Sequence, residues 1–348
     1  MNIFLAHGLS AALSAASLVT PQGSAATGAQ VGNLSNIQLS LVTDFRAALV
    51  DQNPDSEKRA FLKEAELGLA ADVDPFLRAE AYIAFVDEDG ETAVEVEEAF
   101  GRYSNFGKGL SLKFGKIAAA VGRVQRNHVD QLNWLDFPFV IEDFFGEEGL
   151  RGGGLSVSYL FPGDRFHELT FEAIDAPDEG IFAGAHTGAP AWVGHYRTFF
   201  DFSQNDTAQL GLTYVNGPGG SGRDRSSAYG IDLTYKRQPA GLGRATIFEG
   251  EAYWTRPSDA DGTHFGAFAA VTQELMPRLF FTAKLDYSEI PGGDEIRRAM
   301  SLGATLKVTE FHHWRAEFQR VSSNFDRDRN VLTLQFQWLI GAHPAHRY

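Results

Sequence analysis

The chain has 348 residues, a formal net charge of −15 and no cysteine. The missing cysteines exclude a disulfide framework, a cysteine-ligated zinc site and a thiol nucleophile. A pI near 5.1 argues against nucleic acid as a partner, because phosphate binding needs a basic face. No apolar run of about 18 residues follows the N-terminal stretch, so the sequence predicts no transmembrane helix.

Residues 1–26 are predicted to be an export signal. Positions 3–19 are apolar and rich in Ala and Ser, and Ser24-Ala25-Ala26 suits a cleavage site. The signal is atypical because no basic residue follows Met1, and an ordinary buried helix stays open as the alternative. Residues 27–348 are predicted to form a single transmembrane β-barrel, for the following reasons.

Short segments that alternate apolar and polar residues fill the chain after Asn36, and this period of two is typical of half-buried strands. We count about sixteen of them. The alternation breaks at Glu98-Ala99, which indicates a bulge. The predicted strands lie at 37–42, 64–69, 77–85, 94–97, 110–115, 155–159, 168–172, 195–202, 209–214, 229–236, 248–254, 265–275, 281–287, 300–308, 314–319 and 332–338.

The connections between these strands alternate between short turns and longer loops. Short turns such as 72–75 and 162–164 follow the even-numbered strands, and most odd-numbered strands lead into longer loops such as 175–190. This alternation is typical of outer-membrane barrels, whose turns are short on one side of the membrane and long on the other. The sequence therefore predicts an all-β fold, a closed antiparallel transmembrane barrel of about sixteen strands.

The two faces of the strands differ in a way that fits a water-filled barrel. One face is apolar and carries Tyr and Trp near strand ends, as membrane interfaces favour. The other face carries many charges, which a dry core cannot accommodate. The charged positions assigned to the lumen wall are eight acids and five bases: Glu66, Arg78, Glu80, Glu95, Glu97, Lys113, Arg197, Asp232, Glu249, Glu251, Lys284, Arg315 and Glu317.

The stretch 117–148, between the fifth and sixth strands, lacks this alternation and is rich in aromatic residues such as Trp134. So apolar a loop is expected to pack inside the lumen, not to stand in solvent. Gly152, Gly153 and Gly154 are expected to let the chain bend back to the wall. The predicted pore constriction consists of Arg123, Arg126, His128, Asp130, Asp136 and Glu142.

Several short motifs carry a resemblance to a known family: Phe114-Gly115-Lys116, Asn127-His128, Asp136-Phe137-Pro138, the run 145–150 and the ending 340–348. With these motifs the chain resembles the Gram-negative porin superfamily, in particular phosphate-selective porin O/P and zinc-regulated outer-membrane proteins. The resemblance implies a long loop folded into the barrel and a C-terminal aromatic, here Tyr348, that is read during barrel assembly. The chain departs from the family pattern at Val129 and Asp130, where related proteins often carry a second histidine.

No enzyme, cofactor or metal site is predicted. The sequence contains no GxSxG, HExxH or P-loop motif. His312-His313 and the pair His343 and His346 are close in sequence, but a zinc site needs three or four convergent ligands. For His128 two interpretations stay open, a packing role in the loop and a titratable group lining the pore.

These features predict passive diffusion of small hydrophilic solutes or ions across the outer membrane of a Gram-negative bacterium. The modest excess of acids favours a weak cation preference, because lumen charges select ions. The alternative is a structural or partner-binding barrel whose lumen is plugged. Outer-membrane lipid and lipopolysaccharide are the expected surroundings, and a homotrimer or a larger membrane complex are both open.

Overall fold

The computed structural model describes residues 37–50, 60–88, 91–184, 189–220, 224–239 and 244–341. The predicted export signal, His343, His346 and Tyr348 lie outside these residues. Within them, no helix is long and apolar enough to cross a membrane.

Sixteen antiparallel strands form a closed barrel, and β1 pairs with β16 to close it. The predicted fold class and all sixteen predicted strands are confirmed. The strands are β1 Gln38–Val50, β2 Ala60–Asp72, β3 Leu77–Glu88, β4 Glu91–Gly107, β5 Leu110–Ala118, β6 Arg151–Leu160, β7 His167–Ile174, β8 Ala191–Asp201, β9 Asp206–Pro218, β10 Arg225–Arg237, β11 Thr246–Arg256, β12 His264–Met276, β13 Leu279–Glu289, β14 Ile296–Lys307, β15 His312–Ser323 and β16 Arg329–Gly341.

Side-chain exposure alternates along the strands because successive residues point to opposite faces of the sheet. In β13, Lys284 and Asp286 are buried inside, whereas Phe281 and Leu285 are exposed outside. A closed sheet with an apolar outer surface and a polar inner one suits a bilayer, since closure leaves no unpaired strand edge in lipid. This surface supports the predicted outer-membrane location.

Aromatic side chains meet near the ends of the strands, as predicted for an interfacial girdle. At the end with the long loops, Trp254 contacts Phe265 with ring centroids 5.3 Å apart, and Phe265 contacts Tyr287 at 5.9 Å. At the opposite end, Trp314 stacks on Phe336 at 4.3 Å. These amphipathic rings suit the two lipid–water interfaces.

The longest connection that the structure describes joins β5 to β6 and spans residues 119–150; we call it the inner segment. It contains the helix α1, Phe139–Phe145, and two 3₁₀ turns, Val124–Arg126 and Val129–Gln131. Its boundaries correct the prediction, because residues 117 and 118 belong to β5.

Gly152, Gly153 and Gly154 also correct the prediction, because they do not bend the chain but lie within β6, paired with β5. At Gly152 and Gly154, an added Cβ would collide with carbonyl oxygens of the neighbouring β7 region. These two glycines therefore permit close approach of two backbones.

Candidate functional site: the inner segment and the barrel wall

The inner segment packs an apolar core against one side of the barrel wall. Phe144 and Phe145 are fully buried, and Phe145 contacts the inward-facing Tyr253 of β11 with ring centroids 5.4 Å apart. Trp134 is 1% exposed and contacts Phe268 of β12 at 5.6 Å. The wall offers apolar side chains on this side, so the aromatic residues of the segment are shielded from water.

Charged wall residues also bond to the backbone of the inner segment. Arg315 of β15 donates to the carbonyl oxygens of Leu132 and Trp134, both across 2.7 Å. Glu317 accepts a hydrogen bond from the Leu135 N–H at 3.3 Å. A buried irregular backbone needs such partners, because unpaired buried peptide groups are costly. The wall charges therefore serve partly to hold the segment.

Glu251 of β11 performs the same task at the first turn of the segment. Its Oε1 accepts from the backbone N–H of Arg123 at 2.8 Å and of Val124 at 2.7 Å. Arg123 also pairs with Glu249. Gly122 has a φ of +59°, and a Cβ there would overlap the Tyr253 hydroxyl, so this close approach requires glycine.

The helix α1 is tied to β14 through Arg297. The Arg297 guanidinium lies 2.9 Å from Glu142 and 2.6 Å from Asp143, and 4.0 Å from the centroid of the Phe139 ring. Burial raises the pKa of Glu142 to about 7, although the charge of Arg297 acts in the opposite direction. Glu142 therefore changes charge near neutral pH.

His128 lies among three carboxylates of the wall. Its Nδ1 is 2.6 Å from Glu97 and is also in contact with Glu66, while its Nε2 lies 3.4 Å from Glu98. The pKa of His128 is raised above its usual value: burial opposes its charge, but the carboxylates of Glu66 and Glu97 outweigh burial. His128 is therefore the centre of a buried polar cluster, not a surface group.

A cavity of about 310 Å³ lies beside the inner segment, within the arc from β3 to β8. Arg126, at the end of the first 3₁₀ turn, is one of its lining residues. The charges around it are balanced in number, with four bases and four acids: Arg102, Lys113, Arg126, Arg197, Glu80, Glu98, Glu168 and Glu172.

The six residues of the predicted constriction contact different parts of the wall and do not form one ring. Asp136 pairs with Arg46 of β1 at 2.7 Å, and the Asp130 carbonyl accepts from Gln337 of β16 at 3.1 Å. Arg123, His128 and Glu142 have the partners described above, and Arg126 faces the cavity.

Most of the predicted wall residues are buried on the inner face of the barrel. Arg78, Glu95 and Lys113 are partly exposed, and Lys113 bonds to Glu98 at 3.0 Å. The buried ones are Glu66, Glu80, Glu97, Arg197, Asp232, Glu249, Glu251, Lys284, Arg315 and Glu317.

Sequence reasoning missed Arg46 and Arg297. Both lie where a strand continues beyond its predicted end. The alternation along each strand points their side chains into the barrel. Continuing the alternation from Ser40 and Val42 identifies Asp44 and Arg46 as inward-facing, and all four are buried.

No family model matches the sequence. An uncharacterized protein of Aquifex aeolicus (strain VF5) is 27% identical, over 84% of this chain and 71% of that protein. Among solved structures, the anion-selective porin of Comamonas acidovorans has a TM-score of 0.62 at 13% identity, covering 87% of this chain and 99% of that one. The outer-membrane channel DcaP of Acinetobacter baumannii has a TM-score of 0.62 at 13% identity, covering 91% and 100%.

A trimer form of OmpT, an outer-membrane protein of Vibrio cholerae, has a TM-score of 0.56 at 12% identity, covering 87% and 99%. At these identities the likeness concerns the fold: this chain is built like outer-membrane porins and channels. The narrower resemblance to phosphate-selective porin O/P or zinc-regulated proteins stays a prediction.

Proposed function

We propose that this protein is an outer-membrane channel through which small hydrophilic solutes or ions diffuse passively. The observation that carries the proposal is the charged cavity beside the inner segment, inside a closed barrel of sixteen strands. Barrels of 16–18 strands are wide enough to hold water. The inner segment then narrows the path without needing any catalytic group, and the non-enzymatic character of the chain stays a prediction.

A weak cation preference is part of the proposal. Eight acids and five bases make up the wall set named from the sequence, but the cavity is lined by four charges of each sign. Opposite charges in one narrow space partly cancel each other's potential, so the selectivity is expected to be small.

A plugged barrel that serves as a structural or partner-binding protein is the second candidate. It is favoured by the dense packing of the inner segment, whose backbone or side chains bond to β1, β11, β14, β15 and β16. A segment held on so many sides does not leave by a small movement.

Planar-bilayer recording of the purified full-length chain distinguishes the two candidates. The channel proposal expects stable, repeated open steps and a reversal potential in a KCl gradient that indicates a K⁺ preference of a few-fold. Absence of steps from protein that is folded and inserted would favour the plugged barrel. A strong anion preference would contradict the proposed selectivity alone.

Lipid and lipopolysaccharide are the proposed surroundings of the apolar outer surface. A homotrimer is the assembly to test, since the Vibrio cholerae protein named above has a trimer form. Native mass spectrometry of the detergent-solubilised protein measures the copy number directly.

A further inference from the structure

Three potential metal ligands converge inside the barrel, far from one another in the sequence. One carboxylate oxygen each from Glu66 and Glu97 and a ring nitrogen of His128 lie within 4.8 Å of one another. All three side chains are at least nine-tenths buried. The sequence patterns place these residues separately in the lumen wall and the constriction, and neither they nor the proposed channel function assigns the three a joint metal-binding role.

The fold creates this convergence by a bulge in β4. Strand pairing passes from Ile83–Val96 to Tyr82–Glu98, so Glu97 is the extra residue. The bulge was predicted one position later, at Glu98-Ala99. Because the extra residue resets the alternation, Glu97 and Glu98 both point into the barrel, where Glu66 of β2 already points.

His128 is oriented by its other ring nitrogen. Nε2 lies 3.4 Å from Glu98, whose Oε1 is held by Lys113 at 3.0 Å and by the Ala118 N–H at 2.8 Å. A carboxylate that accepts from one imidazole nitrogen leaves the other nitrogen available as a metal ligand, as in carboxylate–histidine–zinc groups. Here that other nitrogen, Nδ1, is the one near Glu66 and Glu97.

The hydrogen bonds of the cluster are incomplete without a cation. A single Nδ1–H cannot satisfy both carboxylates. Within the described part of the chain, Glu66 Oε1 and Glu97 Oε2 are buried and accept no hydrogen bond of normal geometry. Arg151 lies 3.2 Å from Glu97, but no Lys or Arg among the described residues forms an ion pair with Glu66.

We propose that Glu66, Glu97 and His128 bind a divalent transition-metal cation such as Zn²⁺. Imidazole together with carboxylates suits zinc, whereas Ca²⁺ and Mg²⁺ take oxygen ligands. Zinc bonds of about 2.0–2.2 Å place neighbouring ligand atoms roughly 3.3 Å apart. The Nδ1–Glu97 pair, at 2.6 Å, would therefore open by less than about 1 Å.

The bound cation joins β2, β4 and the inner segment at one point. It would fix the first half of the inner segment to the wall on the side opposite Glu251. The site does not depend on whether the lumen conducts, because its ligands are held by the barrel and the segment alone.

Zinc content is the first measurement. The full-length protein is stripped with EDTA, titrated with Zn²⁺, desalted and analysed by mass spectrometry of the metal. Glu66→Gln keeps the size of the side chain but removes its charge. This variant and His128→Gln should each bind one Zn²⁺ fewer per chain than the wild type, or bind it with an affinity at least about tenfold lower. His195→Gln, at a buried wall histidine whose Nδ1 contacts Thr213, is the matched control and should keep it.

The heat-dependent gel shift of folded barrels shows which variants fold, and Glu97→Gln replaces any that fails. Zn²⁺ should also raise the unfolding midpoint of the wild type and of His195→Gln, but not of Glu66→Gln. Equal zinc content in the wild type, Glu66→Gln and Glu97→Gln would overturn the proposal. In that case a protonated His128, paired with the carboxylates of Glu66 and Glu97, would explain the cluster without a metal.

Discussion

Arg46 of β1 and Asp136 of the inner segment form an ion pair across 2.7 Å, although 90 positions separate them in the sequence. The same guanidinium donates to Asp44 from Nε and Nη2, at 2.9 and 2.8 Å, and to the Leu135 carbonyl at 3.0 Å. Arg46 is 5% exposed, whereas the Asp136 side chain is half exposed. One planar side chain with a fixed fork of donors thus joins the first strand to the segment.

Replacing Arg46 with methionine should lower the free energy of unfolding by about 1–3 kcal/mol, because buried Asp44 loses its charged donor. Gln335, which donates to Asp44 at 2.8 Å, limits the loss. Urea unfolding in lipid vesicles measures the change. Arg320→Met is the control: its pair with Asp328 is more than half exposed on both sides, and such pairs contribute about 0–1 kcal/mol. Equal losses in both variants would contradict the role given to Arg46.

The strands could be predicted from the sequence because alternation is a local signal. Each strand shows its period of two within a few residues, and a closed barrel repeats this signal many times. Strand ends give a weaker local signal: the alternation predicts that β1 ends at Val42, but the strand continues to Val50, so Arg46 lies beyond the predicted end. Asp44 and Arg46 are polar residues two positions apart, and this spacing continues the inward-facing alternation of β1 beyond Val42.

The His128 cluster could not be predicted, although each of its residues was singled out separately. Its geometry depends on the register between β2, β3 and β4 and on one bulge in β4. A shift of one residue turns every side chain to the other face. Convergence of sequence-distant residues is a property of this register, which single-sequence patterns do not determine.

Gly266→Val should displace α1 from the wall. A Cβ at Gly266 would overlap Val140 and come within 3.3 Å of Phe144. Overpacking of this kind costs about 1–3 kcal/mol, and the helix is the part that can move. The expected result is trypsin cleavage after Arg123 and Arg126, detected by mass spectrometry. Gly194→Val, where no atom lies within 4 Å of the added Cβ, should leave these sites protected.

Glu142 should make ion selectivity depend on pH. Burial raises its pKa to about 7, helped by Asp136 and opposed by Arg297 and Lys284. Between pH 6 and pH 8 the group therefore changes from mostly neutral to mostly charged, and cation preference should rise. The stability of the fold should fall over the same pH range. Because the folded-state pKa of Glu142 exceeds the ordinary 4.5, its contribution to stability is fully present below pH 4.5 and is lost as pH rises through about 7.

Reversal potentials at the two pH values measure the effect on selectivity. Glu142→Gln should reduce the pH dependence. Glu147→Gln removes an acid from an exposed position of the same segment and should leave the trend as in the wild type. A trend that is the same in all three proteins would assign it to other groups.

Deleting residues 126–142 should raise single-channel conductance and weaken ion selectivity. The deletion removes His128, Asp136 and Glu142 together with Trp134, and so takes both charge and volume out of the lumen. Arg46 and Arg315 then lose their partners in the segment. Water in the widened pore can solvate their charges. Deleting residues 259–262, in the loop between β11 and β12, is the matched control and should leave the conductance as in the wild type. A conductance that stays the same after removal of 126–142, in protein shown to be folded, would mean that the inner segment does not set the width of the path.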